Sequence, residues 1–189
     1  MSPSLPSISS LPALSQDEQF RALDTLFEPS PELHTLMAPV LSNQTFSSYN
    51  SLIDAVGGRM SALSPKNSPT DDKILTGIMG SHPRLGRPKA ADTEHMSELS
   101  KREQANLNTG SEAQAEKLRL LNVEYEERFP GLRFVTFVNG RSRDVIMEEM
   151  RRRIERGDIE RERQETIQIQ RIMKMRTESR WIQSFLNSY

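Results

Sequence analysis

Residues 111–129 read SEAQAEKLRLLNVEYEERF and run through Pro130-Gly131 into residues 132–138, LRFVTFV. In the first stretch Leu118, Leu121, Asn122, Tyr125 and Phe129 recur at helical spacing, which puts them on one inward face. Ser111-Glu112-Ala113-Gln114 has the form of a capping box, and Pro130-Gly131 stops the helix. The second stretch is the only one with strand-like composition, and Asn139-Gly140 turns the chain after it. The pattern predicts an all-α single domain of about eight helices with one short extended segment.

Upstream, Ser15-Gln16-Asp17-Glu18 is another capping box, followed by Phe20, Leu23, Leu26 and Phe27, and Pro29 ends that helix. Ser30-Pro31 opens the next by the cap-then-proline rule, with Leu33, Leu36, Met37 and Val40 inward. Tyr49, Leu52, Ile53, Val56, Met60 and Leu63 mark a third, which the doublet Gly57-Gly58 weakens in its middle. Residues 64–69, SPKNSP, read as a linker. Thr70 then opens a helix whose first turn carries Asp71 and Asp72, where carboxylates favour the positive dipole end. Residues 80–88, GSHPRLGRP, cannot continue it and form a structured loop. Ser100-Lys101-Arg102-Glu103 repeats the capping box. Downstream, Ser142 caps a helix closed by Gly157, and a last long helix starts near Ile159. The Ser- and Pro-rich residues 1–13 are expected to be a flexible lead, with the domain spanning 14–189.

Across 189 residues, 35% are hydrophobic and 27% charged, with a net charge of −1. That balance gives no electrostatic ground for nucleic acid or membrane as a partner. There is no cysteine, which excludes disulfides, thiolate metal sites and a thiol nucleophile. His34 and His95 lack metal-ligand spacing with each other or with His82, so no metal is expected. No phosphate loop, nucleophile elbow or dinucleotide fingerprint occurs. No secretory leader is expected at the N-terminus. The C-terminal residues LNSY are not a Ser-Lys-Leu address, which leaves cytoplasm and peroxisome both open.

Three residues invite chemistry. His82, in Ser81-His82-Pro83-Arg84-Leu85-Gly86, is pushed out of the α region by Pro83, and a histidine on a rigid loop suits proton transfer. It also reads as a surface histidine before a turn. Glu103 caps a helix, and the same fixed carboxylate is a way to preorganise a site. In the last helix Ile169, Ile172 and Met173 define an apolar face with Arg176 near its centre, while Arg171 and Lys174 fall on the solvated side. An arginine so placed either closes a buried ion pair or binds an anion. Arg180 lies near the same face, so periodicity does not choose between the two arginines. Residues 151–163, RRRIERGDIERER, balance their charges and read as a solvated helix face.

The order of motifs HPRLG, SKREQ, LNVEYEERFPGLRFVTFVNGR and RIMKMR resembles the OHCU decarboxylase family, whose substrate is 2-oxo-4-hydroxy-4-carboxy-5-ureidoimidazoline. Residues 11–177 carry the resemblance, and it is closest to a fungal branch with LFEPSP near its start. The resemblance implies a carboxy-lyase of urate degradation that forms (S)-allantoin, with no cofactor, an all-α fold and a homodimer. It implies an active site of His82, Glu103 and Arg176, with Pro83, Ser100 and Gln104 beside the small-molecule substrate. The backbone of Phe134, Val135, Thr136, Phe137 and Val138 would meet the ligand. Ala105-Asn106-Leu107 and Met173-Lys174-Met175 depart from the usual family pattern. A helical interaction module binding a protein partner is the alternative, though an adaptor would have no use for an inward Arg176 together with the His-Pro loop.

Overall fold

A computed structural model describes residues 5–64, 68–86, 112–138 and 140–186, with the side chains of the last helix described as far as Arg176. The expectations for Ser100, Glu103, Gln104, Ser111, His95, Asn139 and Arg180 lie outside it. Seven α-helices follow a short 3-10 turn among the described residues. They are α1 (Gln16–Leu26), α2 (Pro31–Asn43), α3 (Tyr49–Leu63), α4 (Pro69–Gly80), α5 (Glu112–Arg128), α6 (Arg143–Arg156) and α7 (Ile159–Leu186). The fold is all-α, and no described helix is long and apolar enough to cross a membrane.

The helix starts follow local chemistry. The Glu18 carboxylate accepts from the Ser15 amide at 2.9 Å. Ser30 Oγ accepts from the Leu33 amide at 3.2 Å ahead of Pro31. Ser142 Oγ accepts from Val145 at 3.4 Å. Each satisfies an amide that the first helical turn leaves without a partner. Helix α3 runs unbroken through Gly57-Gly58, because Leu52, Ile53, Val56 and Met60 are buried against neighbours and packing outweighs weak propensity. It packs along α7, with α2 against α4 and α5 against α6.

One expectation changes. Part of the N-terminal lead is docked: Ile8–Ala13 forms the 3-10 turn and Leu11 is fully buried. Gln19 Nε2 donates to the Leu11 carbonyl at 3.1 Å, and Tyr49 Oη donates to the Pro6 carbonyl at 2.9 Å. One apolar side chain and two hydrogen bonds fix a stretch whose composition alone suggests freedom. Residues 132–138 join no sheet. They form an irregular buried segment, two of whose carbonyls accept from arginine side chains: Arg153 Nη1 donates to Val135 at 2.9 Å and Arg141 Nη1 to Phe137 at 3.0 Å.

Arg153 belongs to a buried polar network that joins α5, α6 and α7 behind this segment. Arg153 is 4% exposed and Glu162 fully buried, with Nε 2.9 and 3.1 Å from the two Glu162 oxygens. Arg156 Nη2 reaches Glu162 at 2.9 Å, and the Tyr125 hydroxyl donates to Glu162 as well. Burial and the neighbouring Glu162 charge raise the Tyr125 phenol, so it remains a donor.

Candidate active site

The His82 loop leaves α4 where two backbones nearly touch. A Cβ on Gly80 would sit 2.8 Å from the Gly131 carbonyl oxygen, so only glycine lets the end of α4 meet the turn after α5. That contact sets the loop beside residues 132–138. Ser81 Oγ closes the last turn onto the Ile78 carbonyl at 2.7 Å. Helix α5 then pins the remainder of the loop. Asn122, 4% exposed, donates to the Leu85 carbonyl at 3.0 Å and to Leu118 at 2.8 Å. Arg84 Nε and Nη2 grip the two oxygens of Glu126 at 2.6 and 2.5 Å. Gly86 turns at φ 110°, and a Cβ there would press Leu118 at 3.1 Å.

Glu126 has a second partner, since Arg133 of the 132–138 segment also pairs with it. Burial works to raise its carboxyl, yet the two arginines hold it below the usual range. One carboxylate therefore ties the His82 loop to the segment after α5.

His82 keeps some surface, but its ring is densely enough surrounded for desolvation to dominate. Burial, then the Lys174 ammonium, push the imidazole down to about 4, against the opposing pull of the Glu28 carboxylate. It is neutral at neutral pH, with one nitrogen able to accept a proton and the other to donate. Glu28 comes from the α1–α2 connection and is 6% exposed; Lys174 comes from α7 and is 4% exposed. Composition singles out neither. Glu28 sits in LFEPSP, between a buried Phe27 and a capping Ser30, and that position is the signal that could have flagged it.

The other expected site residues divide. Pro83 is half-buried beside His82. Phe134 and Val135 are buried, with the Phe134 ring packed on Tyr125 and 4.6 Å from the Arg153 guanidinium. Val138 is buried as well. Thr136 donates to Glu149 at 2.9 Å. Arg141 also pairs with Glu149 and holds its carboxyl below the usual range against the opposing effect of burial.

Arg176 is exposed, its guanidinium 5.3 Å from the ring centroid of half-buried Phe137. The phase expected for the last helix is therefore corrected: Lys174 faces inward, and Arg176 does not close a buried ion pair. Arg171 is on the surface as expected, paired with Asp54. The buried row is Glu162, Thr166, Ile167, Gln170, Met173 and Lys174. It is roughly 100°, one residue's step, from the apolar residues that a wheel picks out. Polar residues share this face because it meets two kinds of neighbour: Glu162 and Thr166 bond Arg153, while Ile167 joins the apolar core. Residues 151–163, expected as a solvated face, supply Arg153 and Glu162 to that network.

Among the described residues no three His, Asp or Glu side chains converge as metal ligands. An open groove between α1 and α2, lined by Phe20, His34 and Pro39 among others, shares no residue with the His82 site.

A comparison with curated proteins returns no match. The sequence profile of the OHCU decarboxylase family matches residues 12–178, a span that takes in α1, the His82 loop, the 132–138 segment and the inward part of α7. The chain belongs to the OHCU decarboxylase family, a family of carboxy-lyases.

Proposed function

We propose that this protein decarboxylates OHCU to (S)-allantoin in urate degradation, without metal or organic cofactor and as a homodimer. His82 carries the reading: a neutral imidazole on a loop pinned by α5, in a chain matched by the family profile over most of its length. The substrate's own ring imine accepts the electron pair of the breaking carbon–carbon bond, so carbon dioxide can leave without an added electron sink. The imine nitrogen takes a proton from solvent. The 4-hydroxyl proton then passes to the ring carbon bearing the ureido group as the 4-carbon becomes a carbonyl. A neutral histidine can accept the 4-hydroxyl proton and deliver it to that ring carbon, and doing so from one face makes the product a single enantiomer.

In this reading Glu103 orients His82 or binds ureido N–H groups, with Ser100, Gln104 and Pro83 beside the ligand. The backbone of residues 134–138 reads the ring edge. Arg176, beside Phe137, offers its planar fork to a substrate oxygen. The LFEPSP and FPGLRFVTFVNG segments favour the fungal branch, and the cytoplasm or the peroxisome is the expected compartment.

Freshly generated OHCU, made from urate with uricase and hydroxyisourate hydrolase, tests the proposal. Ultraviolet absorbance should fall and the circular dichroism of (S)-allantoin should rise at a rate proportional to protein, with and without a chelator. Decay at the spontaneous rate to racemic allantoin would overturn it. Loss of activity with chelator, restored by a metal, would overturn its cofactor-free part.

A further inference from the structure

Residues 134–138 are gripped from the α6 side. Arg153 Nη1 donates to the Val135 carbonyl at 2.9 Å, and Arg141 Nη1 donates to the Phe137 carbonyl at 3.0 Å. Both guanidiniums also pair with Glu149 of α6, and the Thr136 hydroxyl donates to the same carboxylate at 2.9 Å. The two carbonyls therefore point to the Glu149 side of the segment. No described peptide bond is cis, and in a planar trans unit the N–H points opposite to the C=O. The Val135 carbonyl shares its unit with the Thr136 N–H, and the Phe137 carbonyl shares its unit with the Val138 N–H. Holding the two carbonyls against α6 thus aims those two N–H groups at the opposite side. Among the described residues nothing accepts from either of them, although Thr136 is 4% and Val138 5% exposed. Buried N–H groups without a partner are rare in folded proteins.

A guanidinium on a carbonyl oxygen does more than satisfy it. The cation draws electron density towards that oxygen, and the N–H of the same peptide unit becomes a stronger donor. The segment also lies beside the His82 loop, to which Glu126 ties it through Arg133. We infer that the Thr136 and Val138 N–H groups are a pair of catalytic donors to the ring 2-oxo oxygen of the substrate, with Arg153 and Arg141 as the positioning residues that aim and polarise them. This assignment rests on the decarboxylase reading.

The 2-oxo oxygen is where the charge of that reaction collects. Its carbon is bonded to the imine nitrogen. When the carbon–carbon bond breaks, the electron pair runs through the new ring double bond to that nitrogen and on to the oxygen. Carbon dioxide leaves uncharged, and the ring carries one negative charge until the nitrogen takes its proton from solvent. In the substrate the same oxygen belongs to a neutral carbonyl. Two fixed donors there bind the transition state more tightly than the substrate, which is what lowers a barrier.

The test is amide-resolved NMR of isotope-labelled protein, with hydantoin and 2-thiohydantoin as probes. The second probe has sulfur, a poor acceptor, in place of the 2-oxo oxygen. Hydantoin should move the Thr136 and Val138 amide protons downfield, and further than those of Val135 and Phe137. 2-Thiohydantoin should bind about tenfold more weakly. Arg141→Gln should diminish the Val138 shift and leave that of Thr136 in place. It should also lower kcat on OHCU by about tenfold while KM changes by less than about twofold. An arginine that only braces the segment would weaken both probes alike and would single out neither amide.

Downfield movement at Val135 and Phe137 instead, equal affinity for the two probes, or an unchanged Val138 shift in Arg141→Gln would each overturn the assignment. So would failure of hydantoin to bind a protein that turns over OHCU. Should Arg141→Gln not fold, the wild-type shifts and the oxygen-over-sulfur preference decide. Absence of OHCU turnover in the wild type would sink the decarboxylase reading instead, and the amide shifts would still report on the donor pair.

Discussion

His82 makes a pH-dependent contribution whose sign is set by its depressed pKa. The unfolded chain takes up a proton near 6.5, whereas the folded protein resists until about 4. Stability is therefore fully present above about 6.5 and drains away as pH falls towards 4. Among the described residues the charges that act on the ring are Lys174 and Glu28, and a compensating change at either would shift the window. Wild-type protein should lose roughly 2–3 kcal/mol between pH 7 and 4.5 from this group, while His82→Asn should be nearly flat over that range. Urea midpoints at several pH values measure both. Below 4.5 the arginine-paired carboxylates Glu126, Glu149 and Glu165 take over in either protein. The same variant should lose about 10²-fold or more in turnover if His82 moves the proton, and wild-type turnover in a folded variant would remove it from the mechanism. His82 is legible in the sequence because proline and glycine bracket it and dictate a loop. Lys174 is not, because a lysine on a charged helix reads as solvated until its neighbours are known.

The elements divide in the same way. Caps at Ser15, Ser30 and Ser142 announce their helices, since capping is chemistry within one turn. The 132–138 segment differs in composition from its surroundings and reads as strand-like, although two of its carbonyls are met by arginines on the polypeptide behind it. Periodicity places helix α7 correctly along the chain and wrongly about its axis. Apolar spacing misplaces an inward face that is partly polar, as here, where Glu162 and Thr166 meet Arg153. That network has a measurable signature. Glu162→Gln removes the fully buried counter-charge of the Arg153 guanidinium, leaving it Glu149 at 3.4 Å, and should cost up to roughly 3–5 kcal/mol in urea denaturation. The double substitution Arg153→Met with Glu162→Leu should recover much of that loss. A cost below about 1 kcal/mol for Glu162→Gln would mean that water reaches the pair.

At the scale of the molecule, the described part of the site is assembled chiefly from connections between helices. Glu28 precedes α2, His82 comes just after α4, and residues 132–138 bridge α5 and α6; Lys174 and Arg176 come from within a helix. The order of these pieces can be read from the chain, but their convergence depends on close approaches such as Gly80 against Gly131, which no local pattern encodes. The proposed assembly is checked by sedimentation velocity at micromolar concentration, where a single species of twice the 21.6 kDa chain mass is expected; a monomer throughout would remove the homodimer. Glu126 has a further bearing on how this protein can change. Arg84 and Arg133 both grip one carboxylate, so losing the glutamate sets two cations against each other, and losing either arginine slackens only one tether. The three positions form a single heritable unit: in a lineage drifting away from this sequence, the glutamate should be the last of them to go, and its departure should coincide with replacement of both arginines.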